Sequence, residues 1–310
     1  MLKGKDLLSL HDLTRDELEE ILSLAAELKA LQKSGVAHTI LPGKTLGMIF
    51  EKSSTRTRVS FETGMYQLGG QALFLSSHDL QIGRGEPVRD TARVLSRYLD
   101  GVMIRTFAHE TLEEFARWAD IPVINGLSDL LHPCQVLADL LTIRERCGKD
   151  LSGLKLSFIG DGNNMAHSLM YGCAKMGIDF AVATPPGYEP NEKVVANARE
   201  DAKASGATIL LTHDVAEAAK EADILCTDVW VSMGEEAERE KRRQDLAGYQ
   251  INRSLLEKAA KRAIVLHCLP AHRGEEITED VFEANAAVIF DEAENRLHAQ
   301  KAVMALTMGD

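Results

Sequence analysis

Ten short apolar runs recur along the chain, most of them separated by longer stretches of helical polar and apolar spacing. They read "TLGMIF", "GQALFLS", "GVMIRT", "IPVING", "LKLSFIG", "FAVATP", "ATILLTH", "DILCTDVW", "AIVLHCLP" and "AAVIFDE". Runs of this length and composition suit strands covered on both faces, and the stretches between them suit the covering helices. The pattern therefore predicts an α/β fold on mostly parallel sheets. The clearest helix is "TRDELEEILSLAAELKALQKSG", in which Thr14 and Glu17 make a capping box and Gly35 supplies the stop.

Ten strands exceed what one compact unit takes, and 310 residues leave room for two domains of ordinary size. A helix beginning at Pro133 runs into "RERCGKDLSGLK", where charge and glycine interrupt the pattern. The expected division is 1–148 and 149–310, each domain a doubly wound, mostly parallel sheet flanked by helices. The last segment, "ENRLHAQKAVMALTMGD", predicts a helix over about 294–310 that packs on either domain. After "DVWVS" comes a polar run whose part from Gly234 to Gln244 is a solvated helix or a closing loop.

The formal charge of −12 argues against nucleic acid or an anionic membrane surface as the main partner. Any anion must be captured locally, against the global sign. No segment has the uninterrupted apolar length of a membrane span, and "MLKGKDLLSLHDLT" lacks the apolar core of a signal peptide. Five cysteines, Cys134, Cys147, Cys173, Cys226 and Cys268, form no C-x-x-C pair and fit reduced thiols in the cytoplasm. No metal is expected, because no suitable set of carboxylate ligands accompanies the polar clusters below, and no cofactor is expected.

In an open α/β sheet, ligands bind where loops and helix N-termini converge beyond the strand ends. "TLGMIF" is followed by "EKSSTRTR": Ser53 or Ser54 can cap the next helix, whose free N–H groups, with Arg56 and Arg58, make an anion site. Arg105 closes a later strand. His132 precedes Pro133, a residue suited to the first helical position, and Gln135 lies in that first turn. Each residue alone reads more readily as a cap or a surface group; together they point to anion capture. In the second half, "FIGDGNN" imitates a dinucleotide fingerprint, but Met165 stands in place of the third glycine and "FAVATP" ends without an acid for a ribose. Asn163 and Asn164 then read as ligands for something smaller. Asp228 after one strand and Cys268 after another offer an amine partner and a polarizable contact.

"SSTRTR", Arg105, "HPCQ", "FIGDGNN", "DVWVSMG", "HCLP" and "ENR" occur in this order over essentially the whole chain. They resemble the aspartate/ornithine carbamoyltransferase family, and most nearly its ornithine-specific branch. The resemblance implies an active site in the cleft between the two domains and two substrates, carbamoyl phosphate and L-ornithine. It implies that Ser54, Thr55, Arg56 and Thr57 hold the phosphate, and that Arg105, His132 and Gln135 reach the carbamoyl group. It further implies that Gln81, arriving from a neighbouring subunit, Cys268, Leu269 and Arg296 also belong to the carbamoyl-phosphate site, with Cys268 and Leu269 near the incoming side-chain amine. Asn164, Ser232 and Met233 would bind the α-carboxylate of ornithine, and Asp228 its α-amino group. Thr57, Arg105, His132 and Cys268 form the implied catalytic set. The implied product is citrulline, in arginine synthesis or its reverse, and the implied assembly is a homotrimer or a multiple of trimers.

The aspartate branch typically has H-P-L-P where this chain reads "HCLP", and lacks "DVWVSMG". A putrescine carbamoyltransferase is the nearer rival, but putrescine has no carboxylate for the intact "SMG" to bind. N-acetylornithine and N-succinylornithine enzymes are disfavoured for the same reason. From other classes, a nicotinamide (NAD-dependent) dehydrogenase is suggested by "GDGNN". A non-catalytic amino-acid sensor would leave "SSTRTR" and "HPCQ" without a role.

Overall fold

A computed structural model describes residues 2–232, 234 and 236–309. The chain divides into two compact units, Met1–Leu141 with Glu294–Asp310, and Thr142–Ala293. The first contains α1 (Arg15–Lys33), β1 (Thr45–Phe50), α2 (Thr55–Gln67), β2 (Gln71–Ser76), α3 (Val88–Leu95), β3 (Gly101–Arg105), α4 (His109–Trp118), β4 (Val123–Leu127) and most of α5 (Pro133–Cys147). The second contains β5 (Lys155–Ile159), α6 (Asn164–Met176), β6 (Asp179–Ala183), α7 (Glu192–Ser205), β7 (Ile209–Thr212), α8 (Val215–Ala219), β8 (Ile224–Thr227), α9 (Arg239–Leu246), α10 (Arg253–Leu256), β9 (Ile264–His267) and the first half of α11 (Glu279–Met308).

The predicted capping box of α1 is present: Thr14 accepts from the Glu17 N–H while Glu17 accepts from the Thr14 N–H. Of the two serines before α2, Ser54 is the cap, accepting from the Thr57 N–H at 3.2 Å. Both sheets are wholly parallel, with strand orders β2-β1-β3-β4 and β7-β6-β5-β8-β9. Each order reverses direction once. The connections leaving β1 and β3 diverge, as do those leaving β5 and β8, and each divergence opens a crevice beyond the carboxyl ends of the strands. The core of the first unit includes Ile49, Val102, Ile104, Leu112, Phe115 and Val123; that of the second includes Ile159, Leu225, Val265, Phe282 and Ile289.

The structure corrects the tenth strand. "AAVIFDE" lies inside α11, a single helix of 30 residues, so the terminal helix begins at Glu279 rather than near 294. Phe282 and Ile289, with Ala286 beside them, pack on the core of the second unit. Their spacing of i, i+4 and i+7 is that of one helix face. No glycine or proline breaks the run at either end, and helix-forming alanine and glutamate override the local β preference of Val288, Ile289 and Phe290.

On the C-terminal half of α11, Lys301 is completely buried. Its Nζ meets Gln32 Oε1 at 3.0 Å, Gln67 Oε1 at 2.9 Å and His38 Nε2 at 3.0 Å. Desolvation pushes the ammonium down to a pKa of about 8. The unfolded chain therefore binds the proton more tightly, and between about pH 8 and the ordinary lysine value stability should rise with pH, the cost being fully present below that window. Denaturant unfolding at pH 7.5, 9 and 10 should show this slope in the wild type and lose it in Lys301→Met.

Candidate active site

In the first unit the chain leaving β1 is tied to the chain leaving β3. Glu51 N–H donates to the Arg105 carbonyl at 2.8 Å. The Glu51 carboxylate accepts from the Thr106 hydroxyl and from the Phe107 N–H. Lys52, buried, pairs with Asp129 and lies 4.2 Å from the centre of the Phe107 ring. These contacts hold the two loops at the sheet's reversal point and present Ser54, Thr55 and Arg56 at the start of α2. Arg58 points elsewhere: it pairs with Glu62 at 2.9 Å and stacks over Phe74, 3.9 Å from the ring centre.

Thr57, Arg105, His132, Gln135 and Arg296 are all buried. Arg296, from α11, donates through Nη1 to Gln135 Oε1 at 2.7 Å and through Nη2 to Thr57 Oγ1 at 3.2 Å. Gln135 donates in turn to Asp139 Oδ1 at 2.8 Å, one turn along α5. The structure thus brings three of the expected residues, from α2, α5 and α11, into one hydrogen-bonded chain. His132 stands in the same field. Desolvation, then the charges of Arg296, Arg105 and Arg56, hold its imidazole well below the usual histidine value. It is a neutral ring among guanidinium groups, able to donate one N–H without adding charge. Gln81 is exposed in the short 3-10 segment Gln81–Arg84, apart from the Thr57–Arg296–Gln135 chain.

In the second unit, Asn163 caps α6 by accepting from the Met165 N–H at 2.9 Å and the Ala166 N–H at 3.3 Å. Its side-chain amide donates to Asp228 Oδ2 at 3.0 Å, and the Cys268 thiol meets Asp228 Oδ1 at 3.0 Å. Asp228 and Cys268, predicted from separate strand ends, are therefore partners. Desolvation first, and then the Asp228 charge, raise the Cys268 thiol well above its ordinary value, so it stays an S–H donor at neutral pH. Asn164 opens α6 and Ser232 is half-buried. Met233, also expected in this group, lies outside the described residues. The polar run beyond it forms a 3-10 turn, Glu236–Glu238, and α9. Arg242 on α9 is buried, donating to the Trp230 carbonyl at 2.7 Å and pairing with Asp161, so the helix is pinned to both turns of the group.

The "GDGNN" turn has a packing explanation. A Cβ on Gly162 would sit 2.4–2.5 Å from the backbone of Tyr188, Glu189 and Pro190, so that glycine permits chain to pass against chain. Among the described residues, His272, Glu275 and Glu276 bring three metal-ligand atoms within 4.8 Å of one another. Both carboxylates are already engaged, Glu275 by Arg243 and Glu276 by His267.

Sequence reasoning missed Asp139, Lys52 and Glu276, and did not place Asn163 against Asp228. The i, i+4 spacing of Gln135 and Asp139 on a helix was a usable signal for the first. The others become neighbours only through the sheet topology.

Two family models match the chain. The carbamoyl-P binding domain of aspartate/ornithine carbamoyltransferase matches residues 5–145, and the Asp/Orn binding domain of the same family matches 152–307. An ornithine carbamoyltransferase of Oceanobacillus iheyensis is 60% identical over 309 residues, covering 100% of this chain and 96% of that one. That of Thermococcus kodakarensis is 56% identical, covering 99% and 98%. Among solved structures, ornithine carbamoyltransferase from Pyrococcus furiosus superposes with a TM-score of 0.95 at 54% identity, covering 99% of this chain and 98% of that one.

The electrostatics of His132 make a direct expectation. Its ring should remain neutral at pH 6, where an exposed histidine is largely protonated. Ring 15N shifts of histidine-labelled protein check this; a protonated ring at that pH would contradict the guanidinium field described here.

Proposed function

The chain belongs to the aspartate/ornithine carbamoyltransferase family, and on that premise we propose that it transfers the carbamoyl group of carbamoyl phosphate to the δ-amine of L-ornithine, giving L-citrulline and phosphate. The observation that carries this reading is the match at 60% identity, over the full chain, to an ornithine carbamoyltransferase. The reaction belongs to arginine metabolism.

The roles of individual residues follow from charge and geometry. Carbamoyl phosphate is an anion, and the first unit offers the N-terminus of α2, Arg56, Arg105 and the buried Arg296. Thr57 accepts from Arg296, which leaves its hydroxyl proton available to the substrate's carbonyl oxygen. His132, neutral, supplies a second donor as that oxygen gains charge, and Arg105 a third. Gln135, held between Arg296 and Asp139, is assigned to the carbamoyl NH2.

Ornithine takes the second group: Asp228 for the α-amino group, and Asn164, Ser232 and Met233 for the α-carboxylate. Its δ-amine resembles lysine, with a pKa of roughly 10.4, and only the neutral form attacks. The arginines favour deprotonation. The Cys268 thiol keeps its own proton and already donates to Asp228, so it is a poor acceptor for another. We assign that proton to the departing phosphate, which leaves as an oxyanion able to accept it. Cys268 and Leu269 instead shape the place where the amine approaches.

The proposed assembly is a homotrimer or a multiple of it, in the cytoplasm. β2 is an edge strand that exposes Leu73 and Phe74, and the adjoining α2 exposes Val59 and Tyr66. Exposed apolar side chains at an unpaired strand edge favour a second copy over water, and Gln81 lies in the segment that follows that strand. The free cysteines and the lack, among the described residues, of any helix long and apolar enough to cross a membrane agree with the location.

A colorimetric citrulline assay with ornithine, putrescine and aspartate in parallel tests the reaction; the expected result is ureido product with ornithine at least 100-fold faster than with the others. Arg56→Gly should lower kcat/KM at least 1,000-fold and remove carbamoyl phosphate binding while the circular dichroism spectrum is retained. Asp228→Asn should raise the KM for ornithine at least tenfold while carbamoyl phosphate affinity stays within about threefold. Equal weakening of both substrates would contradict the division of roles between the units.

A further inference from the structure

We propose that His267 and Glu276 are positioning residues for this reaction: their buried pair fixes the Cys268–Leu269 turn in the one backbone conformation that serves the incoming amine. The inference rests on the carbamoyl transfer reading above and adds two residues to it.

His267 ends β9, and its side chain and that of Glu276 are both fully buried. The two ring nitrogens have distinct duties. Nδ1 accepts from the Leu269 N–H at 2.9 Å, so it carries a lone pair and no proton. The ring proton therefore resides on Nε2, which donates to Glu276 Oε1 at 3.0 Å. The same carboxylate oxygen accepts from the His272 N–H at 2.5 Å, while the His267 N–H donates to Glu292 Oε2 at 2.9 Å. One carboxylate thus grips the turn at two points, through the ring at 267 and through the backbone at 272, and a second fixes its root.

Between those grips, Leu269 adopts φ +58°. That is the left-handed region, which a residue with a branched side chain adopts only where its surroundings impose it. The imposed geometry places the Leu269 N–H on the imidazole and leaves Cys268 to meet Asp228 at 3.0 Å. Without the His267 acceptor, Leu269 gains by returning to negative φ, which turns the peptide planes on both sides of it. The Cys268 thiol and the Leu269 backbone, which shape the place where the amine approaches, move with those planes. Displacement of a reacting partner by about 1 Å is enough to cost on the order of 100-fold in rate.

Neither residue touches substrate in this account, so the test needs readings that a purely structural pair would leave unchanged. Glu276→Leu removes the acceptor at similar volume, and Glu276→Gln restores a carbonyl to the His267 Nε2–H. With ornithine as the amine, Glu276→Leu should lower kcat 10- to 100-fold and raise the ornithine KM. Carbamoyl phosphate affinity should stay within about threefold, and Glu276→Gln should recover to within about fivefold of wild type. Leu269 amide hydrogen exchange should accelerate at least tenfold in Glu276→Leu and in His267→Phe. A kcat within twofold of wild type in folded Glu276→Leu overturns the proposal, as does loss of carbamoyl phosphate affinity in parallel with kcat.

Should the leucine variant fail to fold, the wild type still decides. Ring 15N shifts must show His267 as the Nε2–H tautomer, and an Nδ1–H tautomer overturns the assignment. Citrulline formation by the wild type is the control for the reaction itself: its absence refutes the transfer reading, whereas the tautomer and exchange measurements continue to report on the pair.

Discussion

The Arg296 guanidinium, buried against the Thr57 hydroxyl and the Gln135 carbonyl, sets the terms for everything around it. Removing a cation from water costs several kcal/mol unless hydrogen bonds and an opposite charge offset it. Thr57 and Gln135 supply oxygens to the guanidinium, and Gln135 is in turn held by the Asp139 carboxylate. The same field explains why His132 is neutral, and it places the first unit's capture of anions in a chain whose formal charge is −12.

The first unit's binding charge comes from guanidinium groups, its His132 is held neutral, and Cys268 of the second unit is held protonated. With His132 neutral and Cys268 protonated, the acid–base event of the proposed mechanism is the substrate amine's own. That is an economical arrangement for a reaction whose leaving group can take the proton.

Much of this was legible in the sequence. Nine of the ten apolar runs are strands among the described residues, Thr14 and Glu17 form the capping box, and Pro133 starts α5, because each is a local signal with a local cause. Residues expected at strand ends stand there: Arg105 closes β3, and Asp228 and Cys268 directly follow β8 and β9. "AAVIFDE" failed because a short apolar run does not declare its period, and its partners at 282, 286 and 289 lay partly outside the run. Lys52, Glu276 and the Asn163–Asp228 contact were illegible for another reason. Each depends on which strands are neighbours, and strand order is not written in spacing.

The exposed apolar edge formed by Leu73 and Phe74 on β2 carries one further consequence. An unpaired strand edge is a template for any other strand that meets it. Under the proposed trimer, covering it releases free energy only when other chains are present, so mass action enters the folding equilibrium and stability ceases to belong to a single molecule. Arg58, stacked on Phe74 and paired with Glu62, places charge on that edge, where it opposes indiscriminate pairing while partners are scarce.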